Sequence, residues 1–198
     1  MPMLVTPAHP TGTFRALDRP TLRVGDLVLR PWRPGDADAV LTAFRDPAIQ
    51  RWHVRRFDDP AEALAWIDSW TGRWAAEEAG SWAVVDPDDQ VLGQVGLREI
   101  DLVDASAMVS YWTLPAARGK AVAARATLTL VEWAFEVGFH RVNLEHSTAN
   151  RQSCRVAEKA GFIAEGTRRG SIRHADGWHD MHLHARLRTD PGPGESTA

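Results

Sequence analysis

The chain has 198 residues, 44% of them hydrophobic, which is enough for one substantial core and short for two ordinary domains. A formal net charge of −3 argues against a general nucleic-acid binder, and no apolar run approaches membrane-spanning length. One cysteine, Cys154, rules out a disulfide framework and a cysteine-rich metal site, and the N-terminus lacks a signal-like pattern, so a reducing cytoplasm is the expected compartment.

The first 20 residues carry four prolines and no periodicity, and residues 189–198 are rich in Pro, Gly and Ser, so both are expected to be mobile or disordered flanks of a single domain over 21–188. Residues 27–32 alternate as a strand. A helix is expected to start near Asp36, and Asp58-Asp59-Pro60 opens a longer one reaching about Glu78. Residues 81–86, 91–100 and 107–114 predict an antiparallel meander separated by DPDDQ and DLVDAS turns. Apolar residues at helical spacing predict a helix over 122–137, stopped by Gly138. A strand over 142–147, a short helix ending at Gly161 and strands over 162–169 and 180–187 complete the chain. Strands, helix, strand, helix, strands is the order of an α/β (α+β) fold with a mixed sheet covered by helices, not of a doubly wound one.

The stretch LPAARGKAVAARA, from Leu114, sets small residues and the cations Arg118 and Lys120 at a helix start. Unpaired N–H groups from Gly119 to Ala123 and the helix dipole would favour an anion such as a phosphate there. The stretch is not a Walker loop, because Leu114 and Ala121 stand where Gly and Ser or Thr belong. Ala121 is strained if its position requires a positive φ.

A second motif runs from Asn150 through Ser153, Lys159, Gly161-Phe162 and Glu165-Gly166. Together with R118-G-K-A-V-A123 and the LVLRPWRPGDADAV opening, it resembles the GNAT superfamily of acyl-CoA N-acyltransferases, specifically the RimJ/RimL branch of ribosomal-protein acetyltransferases. The resemblance, over about residues 27–187, implies the GNAT fold, a mostly antiparallel central sheet flanked by helices. It implies transfer of an acetyl group from acetyl-CoA to a primary amine by direct attack in a ternary complex. The pyrophosphate of coenzyme A would lie on Arg118, Gly119, Lys120, Ala121, Val122 and Ala123. Backbone N–H groups of Trp112, Thr113 and Leu114 would meet the thioester, Asn150 the pantetheine arm, and the Ser153 hydroxyl the departing sulfur. Ala157 stands where many relatives carry a tyrosine that protonates the thiolate. The acceptor would be a protein N-terminus or a small-molecule amine, with no nucleic acid or membrane involved, on a monomer or homodimer. The alternatives are a larger acyl group such as succinyl, or a module that binds acyl-CoA without turnover.

The base is less legible. Met108 occupies a strand position where relatives often have a carboxylate, which leaves Glu99 as the proposed relay, with Asp101 and His146 behind it. His174, His179, His182 and His184 carry no second ligand motif, so no metal is expected. Trp66, Trp70 and Trp74 share a helical face and read as core, and Cys154 as a small buried hydrophobe.

Overall fold

The computed structural model describes residues 4–193. Its strands are β1 (Leu22–Val24), β2 (Leu27–Pro31), β3 (Gly80–Val85), β4 (Val91–Asp101), β5 (Ser106–Thr113), β6 (Arg141–Ser147), β7 (Ile163–His174) and β8 (Gly177–Leu187). They form one eight-stranded sheet in the order β1-β2-β3-β4-β5-β6-β8-β7. Among its neighbouring pairs only β5 and β6 run parallel. The helices are α1 (Ala37–Arg45), α2 (Pro47–His53), α3 (Pro60–Ala75), α4 (Val122–Glu136) and α5 (Arg151–Lys159).

Both faces of the sheet centre are covered, which is why β3 is buried at every position instead of alternating. On one face α4 packs Val122, Ala126, Leu130 and Val131 against Val95, Leu97, Ala107, Val109 and Leu144. On the other, α1 and α3 enclose Trp32, Ala83, Val85 and Trp112. Trp70 and Trp74 are buried as a core-facing stripe should be, while Trp66 packs edge-on against Trp32 and Trp70.

Several features depart from the sequence-based expectation. The N-terminal segment is packed, not a mobile arm: Phe14 is fully buried and stacks on Phe139 at 4.6 Å. Glu77, itself buried, accepts from the N–H groups of Gly12, Phe14 and Arg15, and Trp74 and Trp82 donate to the carbonyls of Leu17 and Pro20. Burial raises the Glu77 pKa, but these three backbone donors outweigh it and hold the carboxyl below its ordinary value. Residues 189–193 also have fixed partners, since Asp190 accepts from the Leu187 N–H and Pro193 lies against Gly161; the remainder of the expected tail, 194–198, and residues 1–3 lie outside the described residues.

The second departure is α2, whose capping residue Asp46 accepts from the Ile49 N–H at 3.0 Å ahead of Pro47. The third is the β7/β8 hairpin, whose pairing continues to His174 and Gly177 and closes on an Ala175-Asp176 turn, with Gly177 opening β8 at φ 128. The helix expected to reach Glu78 ends at Ala75, and Glu77 turns the chain at φ 59.

Candidate active site

The sheet opens between its two parallel strands. β5 and β6 pair only at Ser106, Ala107 and Met108 with Arg141, Val142 and Asn143, and both continue past that point without pairing. Leu114 donates its N–H to Leu92, and the ladder alternation therefore turns the N–H and C=O of Trp112 toward β4 as well. Tyr111 and Thr113 point their backbone groups the other way, into the gap. Of the expected strand donors, Thr113 alone has that orientation; Trp112 and Leu114 are spent on the sheet.

Ser153 reaches the gap from the first turn of α5. Asn150 caps that helix, its Oδ1 accepting from the Ser153 N–H at 3.1 Å, so its acceptor oxygen serves the helix. The Ser153 hydroxyl is left free of capping and lies 2.5 Å from the Tyr111 hydroxyl. Tyr111 is the sole tyrosine in the chain, and burial pushes its pKa up to about 12, keeping it a neutral O–H donor. A phenol therefore stands next to Ser153, supplied by β5 instead of by the Ala157 position, which is fully buried. No motif pattern marked it; it became visible when the strand was placed beside α5.

The second element of the site lies between β5 and α4. Gly119 has φ 80 and Ala121 φ 56, and the N–H groups of Gly119, Lys120 and Ala121 have no protein acceptor among the described residues. An Ala at positive φ costs roughly 1 kcal/mol or more, so the strain foreseen from sequence is present. Arg118, Gly119, Lys120 and Ala121 are exposed, Ala123 is half-buried, and Val122 is buried in the core beneath the turn. This is a concave run of outward amides with two cations beside it, which fits a diphosphate. Arg118 is not a free cation: it binds Asp46 at 2.6 Å and ties the turn to the start of α2. Burial raises the Asp46 pKa, but Arg118 and the α2 amides bring it below the ordinary value.

Around the gap, α2 meets the β7/β8 turn. His53 donates Nε2–H to the Tyr111 carbonyl at 3.0 Å, and desolvation lowers its pKa to about 4. Trp52 packs edge-on against His174 and His179, and Arg51 pairs with Asp176. His179 donates Nε2–H to Asp176 at 2.8 Å, which leaves Nδ1 to accept from the Ser147 hydroxyl at 2.7 Å. His179 hydrogen bonding lowers the Asp176 pKa. A carboxylate–imidazole–hydroxyl chain thus ends at the β6/α5 junction, where Asn150 donates its N–H to the Ser147 carbonyl.

The expected base residues are elsewhere. Glu99 sits at a β4 bulge with φ 53, exposed and paired with Arg98 at 2.8 Å, and shares no partner with Tyr111 or Ser153. Asp101 caps a turn by accepting from Val103 and Asp104. His146 is buried and faces His184.

A mixed sheet split between two parallel strands, with an amide-lined turn before the following helix, defines an N-acyltransferase domain. The chain belongs to the GNAT acetyltransferase family: the profile described as the acetyltransferase (GNAT) domain matches residues 26–163. YdaF of Bacillus subtilis, whose name places it provisionally among ribosomal N-acetyltransferases, is 25% identical over 170 residues, covering 83% of this chain and 92% of YdaF. The ribosomal-protein-S5-alanine acetyltransferase of Vibrio fischeri superposes with a TM-score of 0.77 at 20% identity, over 86% of this chain and 98% of that one. RimJ of Mycobacterium smegmatis, solved with a CoA disulfide, gives 0.74 at 22% identity over 85% and 86% of the two chains. Both share the fold. Among the described residues no helix is long and apolar enough to cross a membrane.

Proposed function

We propose that this GNAT domain transfers an acetyl group from acetyl-CoA to the α-amine of a protein N-terminus. The single observation that carries the reading is the Tyr111–Ser153 pair at the opening between β5 and β6, one loop away from the amide turn at Gly119–Ala121. The fit of coenzyme A rests on that turn, where Gly119, Lys120 and Ala121 offer N–H donors and Lys120 offers positive charge beside the Asp46-paired Arg118. Acetyl-CoA supplies the activated thioester. Attack forms the N–C bond and breaks the C–S bond. Thr113 donates to the developing oxyanion, Ser153 and Tyr111 give a proton toward the thiolate, and the Ser147–His179–Asp176 chain takes the proton the amine sheds. The protein acceptor is supported by the names of the relatives, and by an acceptor side built from the α2 end and the exposed β7/β8 hairpin instead of a closed cavity.

The experiment is a CoA-release screen of the full chain over N-terminal peptides and small amines, with products identified by mass. Release with α-amine peptides and a single added acetyl group is expected. Acetyl-CoA binding without release across the whole panel would overturn the reading in favour of a non-turnover module.

A further inference from the structure

Behind α5, on the helix-covered face of the sheet, three imidazoles converge. His146 on β6 is the direct cross-strand partner of His182 on β8, and His184 lies two residues further along the same face. One ligand-capable nitrogen from each lies within 4.8 Å of the others. His146 and His184 are 5% and 8% exposed, and His182 is half-buried, which leaves a path in from solvent. α5 adds the chain's one thiol beside them, Cys154 Sγ lying 3.6 Å from His182 Nδ1.

The hydrogen bonding of this cluster is incomplete in a specific way. His146 Nδ1 donates to the Ser147 carbonyl at 2.9 Å, which fixes its tautomer and leaves Nε2 as a bare lone pair; ligating histidines are commonly held by such a backbone bond. That lone pair faces His184 Nε2 at 3.2 Å. If His184 donates there, its buried Nδ1 is an unmatched acceptor; if it does not, two lone pairs oppose each other and Nδ1–H is an unmatched donor. His184 Nδ1 has no partner in either case, a deficit that pure packing does not explain. Two nitrogens bound to one tetrahedral zinc at about 2.0–2.1 Å stand about 3.3 Å apart, close to the separation seen here. Burial lowers the pKa of both His146 and His184, which favours the neutral form a ligand must have.

We propose that His146, His182 and His184 form a transition-metal site for Zn2+ or a similar borderline divalent cation, which cross-links β6 and β8 beneath α5. The site is separate from the proposed acyl-transfer chemistry and does not depend on it. The test uses the untagged full chain, stripped with chelator and titrated calorimetrically with ZnCl2. One equivalent should bind with micromolar or tighter affinity and raise the thermal midpoint, and MgCl2 should do neither. His182→Gln and His184→Gln should each weaken Zn2+ binding at least tenfold, with folding checked by circular dichroism in chelator. His182, being half-buried, is the safer variant for folding. His179→Gln, on the other face beside Asp176, should leave Zn2+ binding intact. Absence of saturable Zn2+ binding by the wild type, unchanged binding in His182→Gln, or loss of binding in His179→Gln would each overturn the proposal.

Discussion

The Tyr111 and Ser153 hydroxyls lie 2.5 Å apart, joining a central strand to the first turn of α5 at the mouth of the sheet opening. Neither group caps its own element, so removing either should affect turnover more than stability. Tyr111→Phe and Ser153→Ala are each expected to lower kcat by about tenfold or more with little change in acetyl-CoA affinity. If the two act as one donor unit, the double variant should lose little beyond the weaker single. Unchanged kcat in both singles would remove the pair from the chemistry.

His179 should matter through its Nδ1 lone pair. With Nε2–H held by Asp176, the imidazole presents a base to Ser147, and His179→Gln is expected to reduce kcat by about a hundredfold while acetyl-CoA still binds. A variant with wild-type kcat would return the amine's proton to solvent.

Arg118, proposed to meet the pyrophosphate, is already paired with Asp46. Arg118→Glu should weaken acetyl-CoA binding, because it brings a carboxylate to the amide turn and sets it against Asp46. Calorimetry giving equal affinities in wild type and variant would sink the placement of the pyrophosphate on this turn.

Ala121 holds φ 56 with no side-chain cap to compensate. Ala121→Gly relieves the Cβ clash and should raise stability by about 1 kcal/mol in denaturant melts. A destabilised variant would show that the turn tolerates Ala without strain.

Acid should loosen the fold. In the unfolded chain histidines take up protons near their ordinary 6.5, whereas desolvation holds folded His53 neutral down to about 4, and burial also lowers His146 and His184. Between those values the unfolded state binds more protons, so stability rises with pH across the window and is lost as pH falls through it. The thermal midpoint should drop between pH 7 and pH 5, and His53→Gln should flatten that drop. An equally steep drop in the variant would exclude His53 as a contributor.

Most of this architecture was readable from periodicity and caps. The strands of the meander and α4 with its Gly138 stop announce themselves because each buries an apolar face, and α5 because it carries its own cap at Asn150 and a glycine past its end. Of the candidate site, the positive-φ turn before α4 and the place of Ser153 in the first turn of α5 were readable, because local chemistry is enough there. The rest was not, because distant segments meet there. Nothing in the sequence tells that Tyr111 faces Ser153, that His179 closes on Ser147, or that Leu114 has already given its N–H to Leu92, since strand register decides all three. Short α2 escaped notice because its helical residues follow a proline and bury only Ile49.

The family profile begins at residue 26, yet Phe14 fills a space between His9 and Phe139, and Glu77 takes its three donors from the backbone of residues 12–15. The catalytic family unit and the folding unit of this chain therefore have different starting points. A chain cut to the profile would carry a buried carboxylate without donors and an unroofed phenyl ring, so residues 9–20 act as an intramolecular ligand that the rest of the protein is shaped to receive.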